Sequence, residues 1–184
     1  MEITHSLRRD HRIIEQALRG LDGMCLRLAR NEAVPPTVLA KAYEFFTAFA
    51  EQFHRGKEEK HLLQMLKDQA LLSGDATLDS IRHEHSGELQ IVNRLGVAIE
   101  LYRKSGSAES ILGLIDAARE YSDFLIAHFE REDNVMFRLV EELLDDASKR
   151  DLSDAFKNAE RELGPENYKK YQESARELER DWAF

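Results

Sequence analysis

At two points in this chain a histidine is followed one helical turn later by a glutamate, His54-x-x-x-Glu58 and His128-x-x-x-Glu132, and two further histidines, His11 and His85, sit in similarly apolar surroundings. Positions four apart on a helix differ in direction by only about 40°, so each pair turns an imidazole nitrogen and a carboxylate to one face. These donors bind metals: imidazole suits iron, zinc, copper and nickel, and a carboxylate can bridge two ions. Phe46, Phe53, Leu62 and Leu66 flank the first pair, and Phe124, Val135 and Leu139 accompany the second, so both lie on core-facing stripes. Uncompensated burial of Glu58 and Glu132 would cost several kcal/mol, and a metal or a paired charge is the usual remedy. Two octahedral ions need about twelve donor positions, of which four histidines fill about four, two bridging carboxylates about four and a bridging oxo or hydroxo group about two. Roughly one open position per ion remains for a small ligand. A single structural zinc needs only about four donors, usually with thiolates, and leaves buried groups unexplained. A binuclear non-haem iron centre is the economical reading.

Four long helical segments are expected to carry these residues. The first runs from about Thr4 to Arg30, with Leu7, His11, Ile14, Leu18, Leu21, Cys25 and Leu28 at three- and four-residue spacing. Paired prolines in residues 31–37 end it. The second covers roughly Thr37 to Gln69, the third Leu78 to Lys104 and the fourth Ala108 to Ala147, separated by breaks at residues 71–77 and 105–107. Short loops between long helices make consecutive neighbours antiparallel, so the chain reads as all-α, an up-down-up-down four-helix bundle over residues 1–148. In that arrangement all four histidines can meet in one layer. Beyond Arg150 the composition shifts, and Leu152, Phe156, Leu163, Tyr168, Tyr171, Leu178 and Trp182 recur among charges with Gly164-Pro165 as a hinge. Residues 149–184 are therefore read as two amphipathic helices that pack on the outside of the bundle or mediate self-association, and Trp182 and Phe184 argue against a purely solvated tail.

Composition narrows the class. Leu, Ala, Glu, Lys and Arg dominate, 9 Gly and 3 Pro leave few interruptions, and 42% of residues are apolar, which favours helices and excludes wholesale disorder. A net charge of −9 argues against a nucleic-acid partner. No apolar run reaches the roughly 18 residues of a membrane span, and the start of the chain has no signal-peptide core. A lone cysteine, Cys25, suits a reducing compartment, so a cytoplasmic location is expected.

Other candidates read more plainly. His61 follows Glu58 by three residues and could bind metal or orient a ligand, but the other helices offer no matching extra histidine and it is placed outside the ligand set. Glu15 and Glu88 could reach the layer but are read as lying at the core's edge, solvated or paired with a base. His83 points away from His85, and His5 stands at the helix start. Tyr121 is read as a core aromatic, with a hydroxyl donor to a bound ligand as the alternative, and Cys25 as a small buried hydrophobe.

The order His, His-x-x-x-Glu, His, His-x-x-x-Glu over four helices resembles the hemerythrin-like, or HHE cation-binding, domain. Leu7-Arg-Arg-Asp-His11, His54-Arg-Gly-Lys-Glu-Glu59, Glu84-His85-Ser-Gly87 and the stretch from His128 to Phe137 are similar to that family's four helix signatures. The resemblance covers about residues 5–145 and implies a di-iron centre ligated by His11, His54, Glu58, His85, His128 and Glu132, with both glutamates bridging. Leu63-Gln64 and Phe137-Arg138 stand where many relatives have Phe-Pro, and Leu89 stands where oxygen carriers have a further histidine. The poorer nitrogen set argues against simple oxygen carriage. The resemblance implies binding or sensing of dioxygen or nitric oxide. The alternative is an enzyme acting on hydrogen peroxide or nitric oxide, or a role in iron–sulfur cluster repair or iron homeostasis. A third reading is a regulatory or storage protein whose iron occupancy changes the fold or a partner surface, with a homodimer or regulatory partner engaged through the C-terminal extension. The residues alone suit binding and turnover alike.

Overall fold

Four long helical runs and a C-terminal helical pair account for the computed structural model, which describes residues 3–69 and 76–184 and contains no strand among them. Helix α1 spans His5–Ala29. The second run is continuous from Pro36 to Asp68 but mixed in character: α2 Pro36–Phe45, a π-helical stretch Phe46–His54, a single turn α3 Arg55–Lys57, a second π-helical stretch Glu58–Leu63, and α4 Gln64–Asp68. Helix α5 spans Ala76–Ser105. The fourth run joins α6, Ala108–Arg131, through a π-helical stretch Glu132–Met136 to α7, Phe137–Leu143. Helices α8, Asp146–Leu163, and α9, Pro165–Trp182, follow. No helix among the described residues is long and apolar enough to cross a membrane.

Local chemistry sets most boundaries. After α1, Asn31 adopts φ 60°, a left-handed conformation that asparagine tolerates, and Pro36 opens α2 where a missing N–H costs nothing. Gly106 at φ 57° ends α5, and the Ser107 hydroxyl accepts the Ser110 amide at 3.2 Å to cap α6. Gly164 at φ 89° separates α8 from α9, at the expected hinge. The fourth run stops at Leu143 and does not reach Ala147. Leu144 turns extended, and the Asp145 carboxylate accepts the Ser148 amide at 2.8 Å, starting a new helix. The expected break at residues 71–77 falls mostly on residues 70–75, outside the described residues.

Two apolar clusters form the core. The larger holds Ile14, Leu18, Leu21, Phe45, Phe46, Phe49, Leu95, Leu114, Tyr121 and Leu125, and the smaller holds Leu7, Leu62, Leu66, Ile81, Met136, Phe137 and Val140. Between them, in every run, come the expected ligand positions. In α1 and α5 the smaller cluster precedes the layer, whereas in the second and fourth runs it follows.

The C-terminal pair belongs to both clusters. Leu152 and Phe156 of α8 complete the smaller, and Ala175 and Leu178 of α9 enter the larger. Helix α9 lies along α1 at very short range, because Gly20 and Gly23 offer no side chain. A Cβ on Gly20 would fall 2.6 Å from the Leu178 carbonyl oxygen, and one on Gly23 only 2.0 Å from that of Trp182. Glu179 anchors the seam by accepting from Gln16 at 2.9 Å and Arg19 at 2.6 Å. Trp182 is half-buried with Arg27 over its ring, whereas Phe184 stays 70% exposed with the Arg30 guanidinium over its ring.

Candidate metal centre

The ligand layer sits where two helices depart from α geometry. His54 closes one π-helical stretch, Glu58 opens the next, and Glu132 opens the third. A π turn inserts an extra residue per turn and recurs at functional sites. His54, Glu58 and Glu132 lie at the ends of these stretches, and His11, His54, Glu58, His85, His128 and Glu132 are all buried.

Their donor atoms converge as two halves. His11, His54, Glu58 and Glu132 form one group, and His85, His128, Glu58 and Glu132 the other, with the donor atoms of each group within 4.8 Å of one another. Glu58 turns Oε1 toward His54 Nε2 at 3.5 Å and His11 Nε2 at 3.9 Å, and Oε2 toward His85 Nε2 at 3.6 Å. Glu132 turns Oε2 toward His11 Nε2 at 3.2 Å, and Oε1 toward His128 Nε2 at 3.3 Å and His85 Nε2 at 3.8 Å. Each carboxylate thus gives one oxygen to each half. Metal–donor bonds of about 2.1 Å put neighbouring donors about 3.0–3.4 Å apart, so a small contraction would bring each set onto an ion. Aromatic rings wall the layer, with Phe129 stacked on His11 at 4.0 Å and Phe124 on His128 at 6.0 Å.

Every imidazole meets a carboxylate on its other nitrogen. Nδ1 lies 3.0 Å from Asp133 in His11, 3.6 Å from Asp10 in His54, 3.4 Å from Glu59 in His85 and 2.7 Å from Glu84 in His128. In His11 and His128 this contact is a hydrogen bond, which fixes the ring and the tautomer that leaves Nε2 for a metal, whereas Nδ1 of His54 and His85 faces its carboxylate without one. The carboxylates are themselves held: Asp133 by Arg8, Glu84 by Arg131, and Asp10 by Lys57 at 2.5 Å. Burial opposes ionisation of Glu84, yet His128, Arg131 and Ser80 hold its carboxyl down to about 2.

The inner atoms lack partners. Nε2 of His11, His54 and His85 and all four oxygens of Glu58 and Glu132 are buried with no hydrogen bond. Burial disfavours a charge on Glu132, but His128, His11 and His85 outweigh it and keep the carboxyl well below its usual range. Burial likewise opposes protonation of His11 and His85, yet the surrounding carboxylates raise both. A concentration of buried negative charge and orphaned donors calls for cations, and these residues fit them.

A family model, the hemerythrin HHE cation-binding domain, matches residues 2–140. The chain belongs to this family. No curated protein and no solved structure gave a significant match. The match to the HHE domain includes all six converging residues and ends before α8 and α9.

Around the centre of this HHE domain, one reading changes, that of Glu88, while the other side candidates stand as expected. His61 lies away from the layer, half-buried with its ring edge toward Phe156 at 6.3 Å. The seven-residue spacing that aligns it with His54 on an α-helix fails because π turns intervene. His5 and His83 are exposed and Glu15 is half-buried. Cys25 is buried as expected, and burial pushes its thiol up to about 12. Glu88 is not at a wet edge. It is buried beside Glu51, and burial together with the Glu51 charge raises its carboxyl well above the usual range. Tyr121 is a fully buried core aromatic whose hydroxyl also donates to Glu51 Oε1 at 3.4 Å, while Arg55 Nε approaches Glu51 Oε2 at 3.5 Å.

Sequence reasoning missed Glu51, Asp10 and Lys57. The spacing Glu51-x-x-His54 was the available signal for the first, one turn from a ligand. Asp10 and Lys57 stand directly beside His11 and Glu58, on what a plain α-helix makes a flank of the layer.

Proposed function

We propose that this HHE domain holds two iron ions, one in each half of the site, and that the centre binds or senses dioxygen or nitric oxide. The observation that carries the reading is the division of Glu58 and Glu132 between the halves, one oxygen of each per half. With two histidines per half, each ion is left short of an octahedral set, which suits a small ligand. Bound iron supplies ligand affinity and electron transfer. The protein supplies orientation through Asp10, Asp133, Glu59 and Glu84, and a dry enclosure through Phe124 and Phe129.

A second reading, turnover of peroxide or nitric oxide, is favoured by Glu51, Glu88 and Tyr121. They form a buried acid cluster one or two turns from candidate ligands on the side of the larger apolar cluster, and burial and the Glu51 charge raise the Glu88 carboxyl well above its usual range. Such a group can hand a proton to a reduced ligand.

The alternating order of clusters and ligand layer along successive runs supports an antiparallel up-down-up-down bundle for residues 1–148, with 149–184 as an appended helical pair. The lone buried thiol of Cys25 supports a cytoplasmic setting.

Metal content and absorption spectra of the purified protein test the function. About two iron per chain with a reversible spectral change under dioxygen or nitric oxide is expected; sustained peroxide consumption, lost in Glu88→Gln, would replace the first reading with the second. One zinc and no iron would end both.

A further inference from the structure

The C-terminal helices, which lie beyond the matched part of the HHE domain, reach a ligand of the centre through a closed ring of polar contacts. Asp10, fully buried, faces His54 Nδ1 with Oδ2 at 3.6 Å and pairs through the same oxygen with Lys57 Nζ at 2.5 Å. Its other oxygen accepts from the hydroxyl of Tyr168 in α9 at 2.6 Å. That hydroxyl accepts in turn from Arg9 Nε at 2.8 Å, and Arg9 also donates to Glu160 of α8 at 2.6 Å. The ring closes because Ser6 donates to the same Glu160 oxygen at 2.7 Å while accepting from Lys57 at 2.9 Å. The Arg9 guanidinium lies over the Tyr168 ring, with 4.8 Å to its centroid.

Among the described residues, Asp10 is a carboxylate behind a candidate ligand that is held directly by a residue after 140, Tyr168. His11, His85 and His128 lean on Asp133, Glu59 and Glu84, all inside the matched segment. Hydroxyl, ammonium and imidazole converge on Asp10, so moving any one re-aims the carboxylate against His54.

We propose that Tyr168 and Glu160 are positioning residues for His54, and that cation binding at the centre and docking of α8–α9 are thereby linked. Linkage is reciprocal: the factor by which docking tightens cation binding is the factor by which cation binding tightens docking. Displacing α8–α9 frees Asp10 and weakens the grip on the ion held by His11 and His54, and filling that half fastens the helices. The proposal rests on the metal reading above and gives the extension a task, that of reporting occupancy.

The test uses Co²⁺ as the probe, through its visible absorption, with the full chain and chelator competition. Tyr168→Phe keeps the ring and removes the hydroxyl. It is expected to lower Co²⁺ affinity about 10-fold or more, in the range for lost outer partners of metal ligands, with unchanged stoichiometry and an altered spectrum. Glu179→Gln trims a contact elsewhere on the α1–α9 seam, leaves the helices docked and Asp10 with all its partners, and should leave the affinity within about twofold. Hydrogen exchange of residues 146–184 should slow on Co²⁺ addition in the unmodified chain and much less in Tyr168→Phe. Normal Co²⁺ binding by Tyr168→Phe, or exchange in α8–α9 indifferent to Co²⁺, overturns the linkage while leaving the metal reading intact. Failure of the unmodified chain to bind Co²⁺, Fe²⁺ or Zn²⁺ removes both.

Discussion

Replacing Lys57 by methionine tests the electrostatic design around the centre directly. The ammonium is 2% exposed and lies 2.5 Å from a carboxylate that is fully buried. At an effective dielectric of about 20 their attraction is about 7 kcal/mol. Removing the ammonium also returns several kcal/mol of its own desolvation. The remainder is about 3–5 kcal/mol, the usual cost of leaving one partner of a buried pair behind, and for a chain of this size it corresponds to a fall in Tm of roughly 6–20 °C. Burial alone would raise Asp10, but Lys57 and His54 outweigh it and hold the carboxyl well below its usual range. In the native chain, therefore, its contribution is present above the unfolded carboxyl value of about 3.9 and is lost as pH falls toward the lower folded value. In Lys57→Met the carboxyl moves up instead, so the deficit relative to the native chain is largest at neutral pH and shrinks as pH falls. Thermal unfolding of chelator-treated protein, followed by circular dichroism at several pH values, measures both. The paired variant Asp10→Asn/Lys57→Met should recover most of the loss. A single variant that loses less than about 1 kcal/mol, or a pair as unstable as the single, would show that unpaired charge is not what the lysine prevents.

Three further outcomes are expected. His11 and His85 are raised by their carboxylate neighbours against the effect of burial, so the metal-free protein gains stability from them below about pH 6.5 and loses it as pH rises through the raised values; because an ion must displace those protons, metal affinity by chelator competition should climb over the same interval. Glu84→Gln, which alters the 2.7 Å contact to His128, should cost about 10–100-fold in metal affinity, whereas His61→Ala should leave metal content unchanged. Gly23→Ala places a Cβ 2.0 Å from the Trp182 carbonyl and should shift the last turn of α9, with a net loss of about 1–2 kcal/mol after the gain in helix propensity; fluorescence of the single tryptophan should move to the red, and an unchanged spectrum would mean the seam is looser than drawn.

Much of this arrangement is legible in the residues. His11, His54, His85 and His128 lie on apolar stripes that converge in the fold, and two glutamates a turn beyond two of them complete the candidate donor set. What stayed hidden has physical reasons. A stripe drawn at 3.6 residues per turn has no way to show a π turn, so His61 stood as a candidate for the layer and Glu51 drew no reading. Lys57 and Asp10 each look like ordinary solvated charges, because their burial depends on each other and on Tyr168, more than a hundred positions away. The stop after Leu143 carries no proline or glycine; only the Asp145-x-x-Ser148 cap marks it. Glu88 shows the opposite error, since a lone acid after a histidine gives no hint that a second acid from another helix will share its pocket.

The meeting of α1 with α9 divides the freedom to change unequally between the two helices. Gly20 and Gly23 touch mainly main-chain atoms of residues 178 and 182, which any amino acid would supply. The docked helix can therefore drift in sequence at this seam, while its host must keep two side chains missing. Among relatives the join should be recognisable from α1 alone, by a pair of glycines three apart, even where the docked segment has diverged beyond alignment.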